Sequence, residues 1–294
     1  MSLLLRKPSS LNRRSFLAST VALPFLNHKT NALKLCYNTI ACPSWNFKQI
    51  IEKAKVYGYG AVELRCYLDQ KDLFNHRDFS ATNIPTLRSI ANDNGVKVLM
   101  LNSSTQLHHR EPKVRKQQLD DAKWYIDLAE KLETPFIRVF PDKLLGEHPL
   151  EPILTGLQTL NDYAKDSGVE VLLDAHGDLV DSRQLLSVLK TTGNRLIWDQ
   201  FNMYKKTREA TNTMVKTLQS KIAVAQYKDG LIEADGTFHY TLPGKGQFPI
   251  KPVLKALKRI NFNGYLSFEW EKRWHPELAN PDIALPAFVN YVKS

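Results

Sequence analysis

Short apolar runs alternate with longer segments of helical period along most of the chain. The runs fall at 33–39, 60–65, 96–102, 136–140, 169–174, 195–199, 222–228 and 264–270. Each is short and continuous enough for a strand covered on both faces. Segments of helical period occupy 46–57, 82–94, 113–132, 149–167, 181–190, 205–219, 249–260 and 281–293. Stop signals close several of them, among them Gly58, Gly95, Gly168, Gly193 and the pair Asn263-Gly264. Strands joined through helices by short connections predict a parallel sheet. Eight such pairs predict a closed (β/α)8 TIM barrel over residues 33–294 as one domain. A chain of 294 residues suits that fold. An open doubly wound sheet is the alternative, but no glycine-rich phosphate fingerprint follows the first run.

In such a barrel, chemistry sits at the C-terminal strand ends. Side chains alternate along a strand, so the pattern also assigns faces. In the eighth run Leu266, Phe268 and Trp270 share the face that suits the helices. Ser267, Glu269 and Glu271 share the other, which points into the barrel mouth. The fifth run places Leu172, Asp174 and His176 on one face, the sixth ends at Asp199, and the seventh places Val224, Gln226 and Lys228 together. Glu63 and Arg65 share a face of the second run and offer an internal ion pair. Four neighbouring strands thus end in Asp, Asp, Gln and Glu. Carboxylates gathered in a low-dielectric mouth repel by several kcal/mol unless protons or a cation neutralise them. A divalent metal held by Asp174, Asp199, Gln226 Oε1 and Glu269 answers that need. Oxygen donors favour Mn²⁺ or Mg²⁺, with Co²⁺ or Zn²⁺ as further choices. The competing reading has each acid capping the helix after its strand or pairing with Lys228, Arg273 or Arg65.

Charge changes the picture mainly at the N-terminus. The formal charge is +10, but Arg6, Lys7, Arg13, Arg14 and Lys29 lie in residues 1–32, which hold no acid, so half of it belongs there. The remainder has no basic run with interleaved aromatics, and a nucleic-acid partner is not expected. Within 1–32, Arg13-Arg14 precede Ser15-Phe16-Leu17 and a short apolar run reaching Leu26. This resembles a signal for the twin-arginine export machinery, with small residues at Thr30-Asn31-Ala32 for cleavage, and implies a periplasmic protein. No later stretch is long and apolar enough to span a membrane. At 43% hydrophobic residues the chain can build a large core. Cys36, Cys42 and Cys66 are odd in number and lack metal-type spacing, so buried free thiols are expected, with a Cys36–Cys42 bridge as the alternative.

Six stretches in this order carry a resemblance: GYGAVELR, GVEVLLDAHGD, LIWDQFN, VAQYKD, LPGKGQFPI and NGYLSFEWE. Together they resemble the xylose-isomerase-like TIM-barrel superfamily, in its sugar phosphate isomerase/epimerase branch, across residues 33 to 290. The resemblance implies a metal held by a Glu, an Asp, a His and a Glu from strands five to eight. Asp199 and Glu269 match. Asp174 stands where Glu is usual, Gln226 where His is usual, and Asn202 where a substrate-contacting His is usual. The resemblance further implies proton abstraction beside a carbonyl, with Glu269 as base and Asp174 as its partner acid. His176, Asn202, Lys228 and Glu271 are then substrate contacts for a small carbohydrate, keto-sugar or polyol. Weaker candidates are His108, His109, Lys143, Trp45 and Trp274 in loops after strand ends. Two other functions share the scaffold: a metal-free carbohydrate-binding barrel without catalysis, and an apurinic-site endonuclease, whose His-rich metal cluster this chain does not supply.

Overall fold

All eight apolar runs form strands, and the strands close on one another. The computed structural model describes residues 33–294; the export leader expected over 1–32 lies outside them. In chain order the barrel strands and their helices are β1 (Lys34–Asn38), α1 (Phe47–Tyr57), β2 (Ala61–Leu64), α2 (Ile84–Asn94), β3 (Lys97–Gln106), α3 (Pro112–Lys131), β4 (Phe136–Phe140), α4 (Glu151–Ala164), β5 (Glu170–Asp174), α5 (Ser182–Thr192), β6 (Leu196–Asp199), α6 (Gln200–Thr207), α7 (Thr211–Leu218) and β7 (Ile222–Tyr227). A hairpin of β8 (Gly230–Ile232) and β9 (Phe238–Tyr240) follows, then α8 (Ile250–Arg259), β10 (Tyr265–Phe268) and α9 (Pro281–Lys293). The ring runs β1-β10-β7-β6-β5-β4-β3-β2, all parallel, and β1 closes it by pairing Lys34 with Tyr265 and Tyr37 with Phe268. The predicted (β/α)8 barrel is therefore the observed one.

Local chemistry explains the element ends. Asn46 and Gln49 form a reciprocal capping box at the start of α1, and Gly58 ends it in a left-handed conformation at φ 88°. Asp181 caps α5 by accepting from the N–H groups of Arg183 and Gln184. The single helix predicted over 205–219 is two helices, because the chain turns left-handed at Arg208, φ 57°. The β8–β9 hairpin was not expected. Its strands are only three residues each, too short to read as runs.

Two cores sandwich the sheet. The larger lies between strands and helices and includes Trp198, Phe268, Trp270 and Phe288. There Phe268 stacks on Phe288 with ring centroids 4.6 Å apart, and the Trp270 indole donates to Ala279 O at 2.9 Å. The smaller core fills the barrel interior with Cys36, Ala61, Met100, Leu172, Ile197 and Val224. The barrel is thus plugged, and only the strand ends are open to chemistry. Cys36, Cys42 and Cys66 are free and buried, so the alternative Cys36–Cys42 bridge does not form. Among the described residues no helix is long and apolar enough to cross a membrane.

Candidate active site

The alternation read from the eighth run holds in space. Phe268 and Trp270 pack outward, while Glu269 and Glu271 turn inward to a pocket of about 330 Å³ over the strand ends. Asp174, His176, Asp199, Asn202 and Lys228 line the same pocket. Seven of the eight residues expected at the site therefore share it. Gln226 does not line it. Arg65, Arg138, Phe140, Tyr240 and Trp274 complete much of the wall.

Lys228 is the hub. It is 4% exposed, and its Nζ lies 3.0 Å from Asp199 Oδ2, bonds Glu269 Oε2, and lies 3.4 Å from Glu271 Oε1. Asp199 has little capacity left. Its Oδ1 accepts from Asn202 N at 2.9 Å and its Oδ2 from Asn202 Nδ2 at 2.6 Å, so it caps α6. Asp174 is held by Arg138, whose Nη1 approaches Oδ2 at 3.3 Å, while Asp174 Oδ1 is buried with no partner. Below them Glu63 Oε2 accepts from Asn102 Nδ2 at 2.9 Å, and from Asn38 Nδ2 and Gln226 Nε2 at 3.3 Å each. The ion pair offered by Glu63 and Arg65 does not form; Arg65 donates to Ser104 Oγ at 2.9 Å and Asn102 O at 3.3 Å.

This geometry does not assemble the four expected ligands around one point. Among the described residues no three His, Cys, Asp or Glu side chains come together as a group able to hold a metal ion. The reasons are visible atom by atom. The Lys228 ammonium already bridges Asp199 and Glu269. Asp174 is paired with a guanidinium. Gln226 spends its N–H on Glu63 beneath the pocket, and its Oε1 is buried without a partner. A divalent ion needs several oxygens at about 2.0–2.6 Å, and a cation sharing those oxygens with an ammonium is repelled by it. The residues present do not fit a divalent metal. The competing expectation, capping and pairing of each acid, describes Asp199 and Glu269.

The same contacts set the charge states. Burial pushes the Asp174 carboxyl up to about 8; Asp199 and Glu269 add to the rise, and Arg138 opposes it. Burial also acts to raise Glu269, but the charge and hydrogen bond of Lys228 outweigh it and hold Glu269 below the usual carboxylate range. Burial and the neighbouring Glu269 raise Glu271. Burial, helped by Arg138 and Lys228, lowers His176 to about 4, so its ring is neutral. Near neutral pH the mouth thus holds an ionised Glu269 and a protonated Asp174, three strands apart in the ring.

Several site residues escaped the sequence reading. Arg138 had a signal: a charge in the middle of the apolar run FIRVF, on the inward face with Phe136 and Phe140. Its guanidinium lies 4.1 Å from the Phe140 ring centroid. Tyr240 had none, because it arrives on the unforeseen hairpin. Asp142 stands 3.8 Å from both His108 Nδ1 and His176 Nδ1, which ties the first loop histidine to the pocket edge. Trp274 lines the pocket, whereas Trp45 packs against the outer core.

Residues 51–286 match the xylose isomerase-like TIM barrel family. The chain belongs to that family. Among curated relatives of this xylose isomerase-like barrel, an inosose isomerase of Bacillus velezensis is 23% identical over 266 residues, covering 81% of this chain and 88% of that protein. An inosose dehydratase of Clostridium perfringens is 25% identical over 170 residues, 51% of this chain and 56% of that protein. Among solved structures, the IolI protein with a bound zinc atom superposes with a TM-score of 0.75 at 20% identity, covering 88% of this chain and 96% of that one. At that identity the likeness is one of fold.

Proposed function

We propose that this barrel is a sugar isomerase, epimerase or dehydratase that removes a carbon-bound proton next to a carbonyl. The observation that carries the reading is the pocket itself. A monosaccharide-sized hollow at the C-terminal strand ends brings Glu269 and Asp174 together with buried cations, and their surroundings push the two carboxyls to opposite charge states. The relatives act in the same direction, since isomerase and dehydratase names both describe chemistry that begins with such a proton.

In this reading Glu269 takes the proton from carbon. The C–H electron pair forms the new carbon–carbon double bond, and the carbonyl π pair moves onto oxygen. Asp174, protonated below about pH 8, returns a proton. Return to the same carbon from the other face gives an epimer. Return to the former carbonyl carbon, with the hydroxyl proton of the first carbon passing to the former carbonyl oxygen, moves the carbonyl and gives an isomer. Delivery to a departing β-hydroxyl gives water and an unsaturated ketone. His176, Asn202 and Glu271 face the same hollow and are positioned to bind hydroxyls. Of the three cations that line the pocket, Lys228 and Arg138 are already paired with carboxylates and Arg65 alone has no carboxylate partner, a small provision for a phosphate that favours neutral sugars. A twin-arginine-type leader and a periplasmic site would match that preference, since phosphorylated sugars are largely intracellular.

The test is solvent exchange. The protein is incubated in deuterated water with a panel of free sugars, keto-sugars and inososes, and deuterium entering carbon positions is read by NMR. Exchange should appear with at least one substrate. Glu269→Gln should reduce it by about 10³-fold, within the range of a lost general base, while thermal unfolding shows the variant folded. Exchange that persists at the wild-type rate in a folded Glu269→Gln would sink the assignment.

A further inference from the structure

Metal-dependent chemistry beside a carbonyl relies on a cation facing the oxygen on which charge develops. In this chain another group has that place. Lys228 Nζ lies between Asp199 and Glu269, the two acids that match the expected ligand positions, and is 4% exposed at the pocket floor. Asp199 spends both oxygens on Asn202 and Lys228. Gln226, where the resemblance expects an imidazole, gives its N–H to Glu63 outside the pocket lining. The fourth expected ligand, Asp174, has Arg138 Nη1 3.3 Å from its Oδ2.

We propose that the Lys228 ammonium stands in for the divalent ion, so that this barrel performs its reaction without a resident metal. The inference rests on the isomerase, epimerase or dehydratase reading above and deepens it. Three N–H bonds of Lys228 meet three carboxylates, but they are unequal. The contact to Glu271 Oε1, at 3.4 Å, lies past the usual hydrogen-bond range and is the one that a substrate can replace. A carbonyl oxygen entering there receives a charge-assisted N–H bond from a group fixed by Asp199 and Glu269. When Glu269 takes the carbon-bound proton, the carbonyl π pair collects on that oxygen. Lys228 keeps its proton and stabilises the charge by proximity. The Phe201 ring centroid lies 5.6 Å from Nζ, within cation–π range of the ammonium.

Two measurements decide it. Purified wild-type protein, never exposed to chelator, is analysed for bound metal and titrated with Mn²⁺ and Zn²⁺ by calorimetry. Only trace metal and no stoichiometric binding in the pocket are expected, and EDTA should leave deuterium exchange unchanged. One metal ion per chain that is lost on Glu269→Gln would overturn the proposal. In parallel, Lys228→Met should reduce exchange by about 10²–10³-fold, the cost of losing one oxyanion-stabilising donor, while sugar affinity changes by only a few-fold. Wild-type exchange in Lys228→Met would also overturn it. If that variant does not fold, the wild-type metal titration alone decides. If no sugar shows exchange, the reaction assigned above fails, and the metal titration still reports on Lys228.

Discussion

Asp174 and Asp229 are both buried carboxylates near the barrel mouth, and they are treated in opposite ways. Asp229 has every need met. Its Oδ2 accepts from Gly244 N at 2.8 Å and Gly246 N at 3.1 Å, and its Oδ1 from Gly230 N at 2.8 Å and Phe248 N at 3.1 Å. Four fixed backbone donors make it the anchor of the LPGKGQFPI loop. Asp174 has one 3.3 Å contact to Arg138 and an oxygen with no partner. A carboxylate saturated by backbone has no capacity for a substrate. One left half-satisfied in a hollow has both reactivity and a reason to hold a proton. Lys228 and Asp229 are adjacent in sequence, so one step along the chain separates the reactive mouth from its scaffold.

The comparison breaks most visibly if the anchor is removed. Asp229→Ala leaves four backbone N–H groups without their acceptor, those of Gly230 and Phe248 buried, and should cost about 3–5 kcal/mol, as for loss of one partner in a buried charged network. Urea denaturation measures this, and Asp229→Asn should recover part of the loss because one side-chain oxygen remains. A loss within 1 kcal/mol would mean that the loop is held by other contacts.

Asp174→Asn is expected to reverse that pattern. Activity should fall about 10²-fold, because an amide cannot deliver the proton. The wild-type rate needs Asp174 protonated, so it should decline as pH rises through about 8, and the variant should lack that limb. Stability moves the other way. The folded carboxyl binds its proton up to about 8, whereas an unfolded Asp releases it near 4. Between those values the folded state holds more protons, so wild-type stability falls with rising pH. Asp174→Asn removes that slope, and unfolding measured at pH 5 and pH 8 should show it.

Gly246→Ala tests the anchor from its other side. A Cβ there would lie 2.2 Å from Asp229 Oδ1 and 2.5 Å from Gly230 N, so carboxylate and hairpin must both shift. A loss of about 1–3 kcal/mol is expected, the usual range for forcing atoms into a packed site. The second glycine of this loop is explained by that contact.

The barrel was legible in the sequence because its two periods are physically distinct. Strand runs such as VEVLLD and LIWD are buried on both faces, and the helices between them are amphipathic. Alternation also assigned faces correctly: Glu269 inward and Trp270 outward follow from a period of two alone. What alternation cannot state is which charges neutralise one another once inside. Asp174, Asp199 and Glu269 read as a metal set because acids on neighbouring strands demand a cation. In the structure the cations beside them are Lys228, already in view as a substrate contact, and Arg138, which sits within FIRVF. The direction of the Gln226 amide was equally hidden, since it depends on Glu63 from a strand far away in sequence. The hairpin was missed because three-residue strands carry too few positions for a period.

The smallest effect expected belongs to Trp274, which reaches the pocket from the loop after β10 and is 44% exposed. Its indole face is stacked against the Arg273 guanidinium at 5.3 Å and has no place in the reactive ring of carboxylates. Trp274→Ala should therefore raise KM by roughly 3–10-fold, the equivalent of about 1 kcal/mol of apolar contact with a sugar face, and leave kcat near wild type. That split separates Trp274 from Lys228 and Asp174. An interaction made equally in the bound substrate and in the transition state moves KM alone, whereas one that strengthens as charge develops moves kcat. A fall in kcat for Trp274→Ala beyond about tenfold would place the indole among the groups that orient the reacting carbon, and would extend the reactive part of the mouth from the strand ends to its loops.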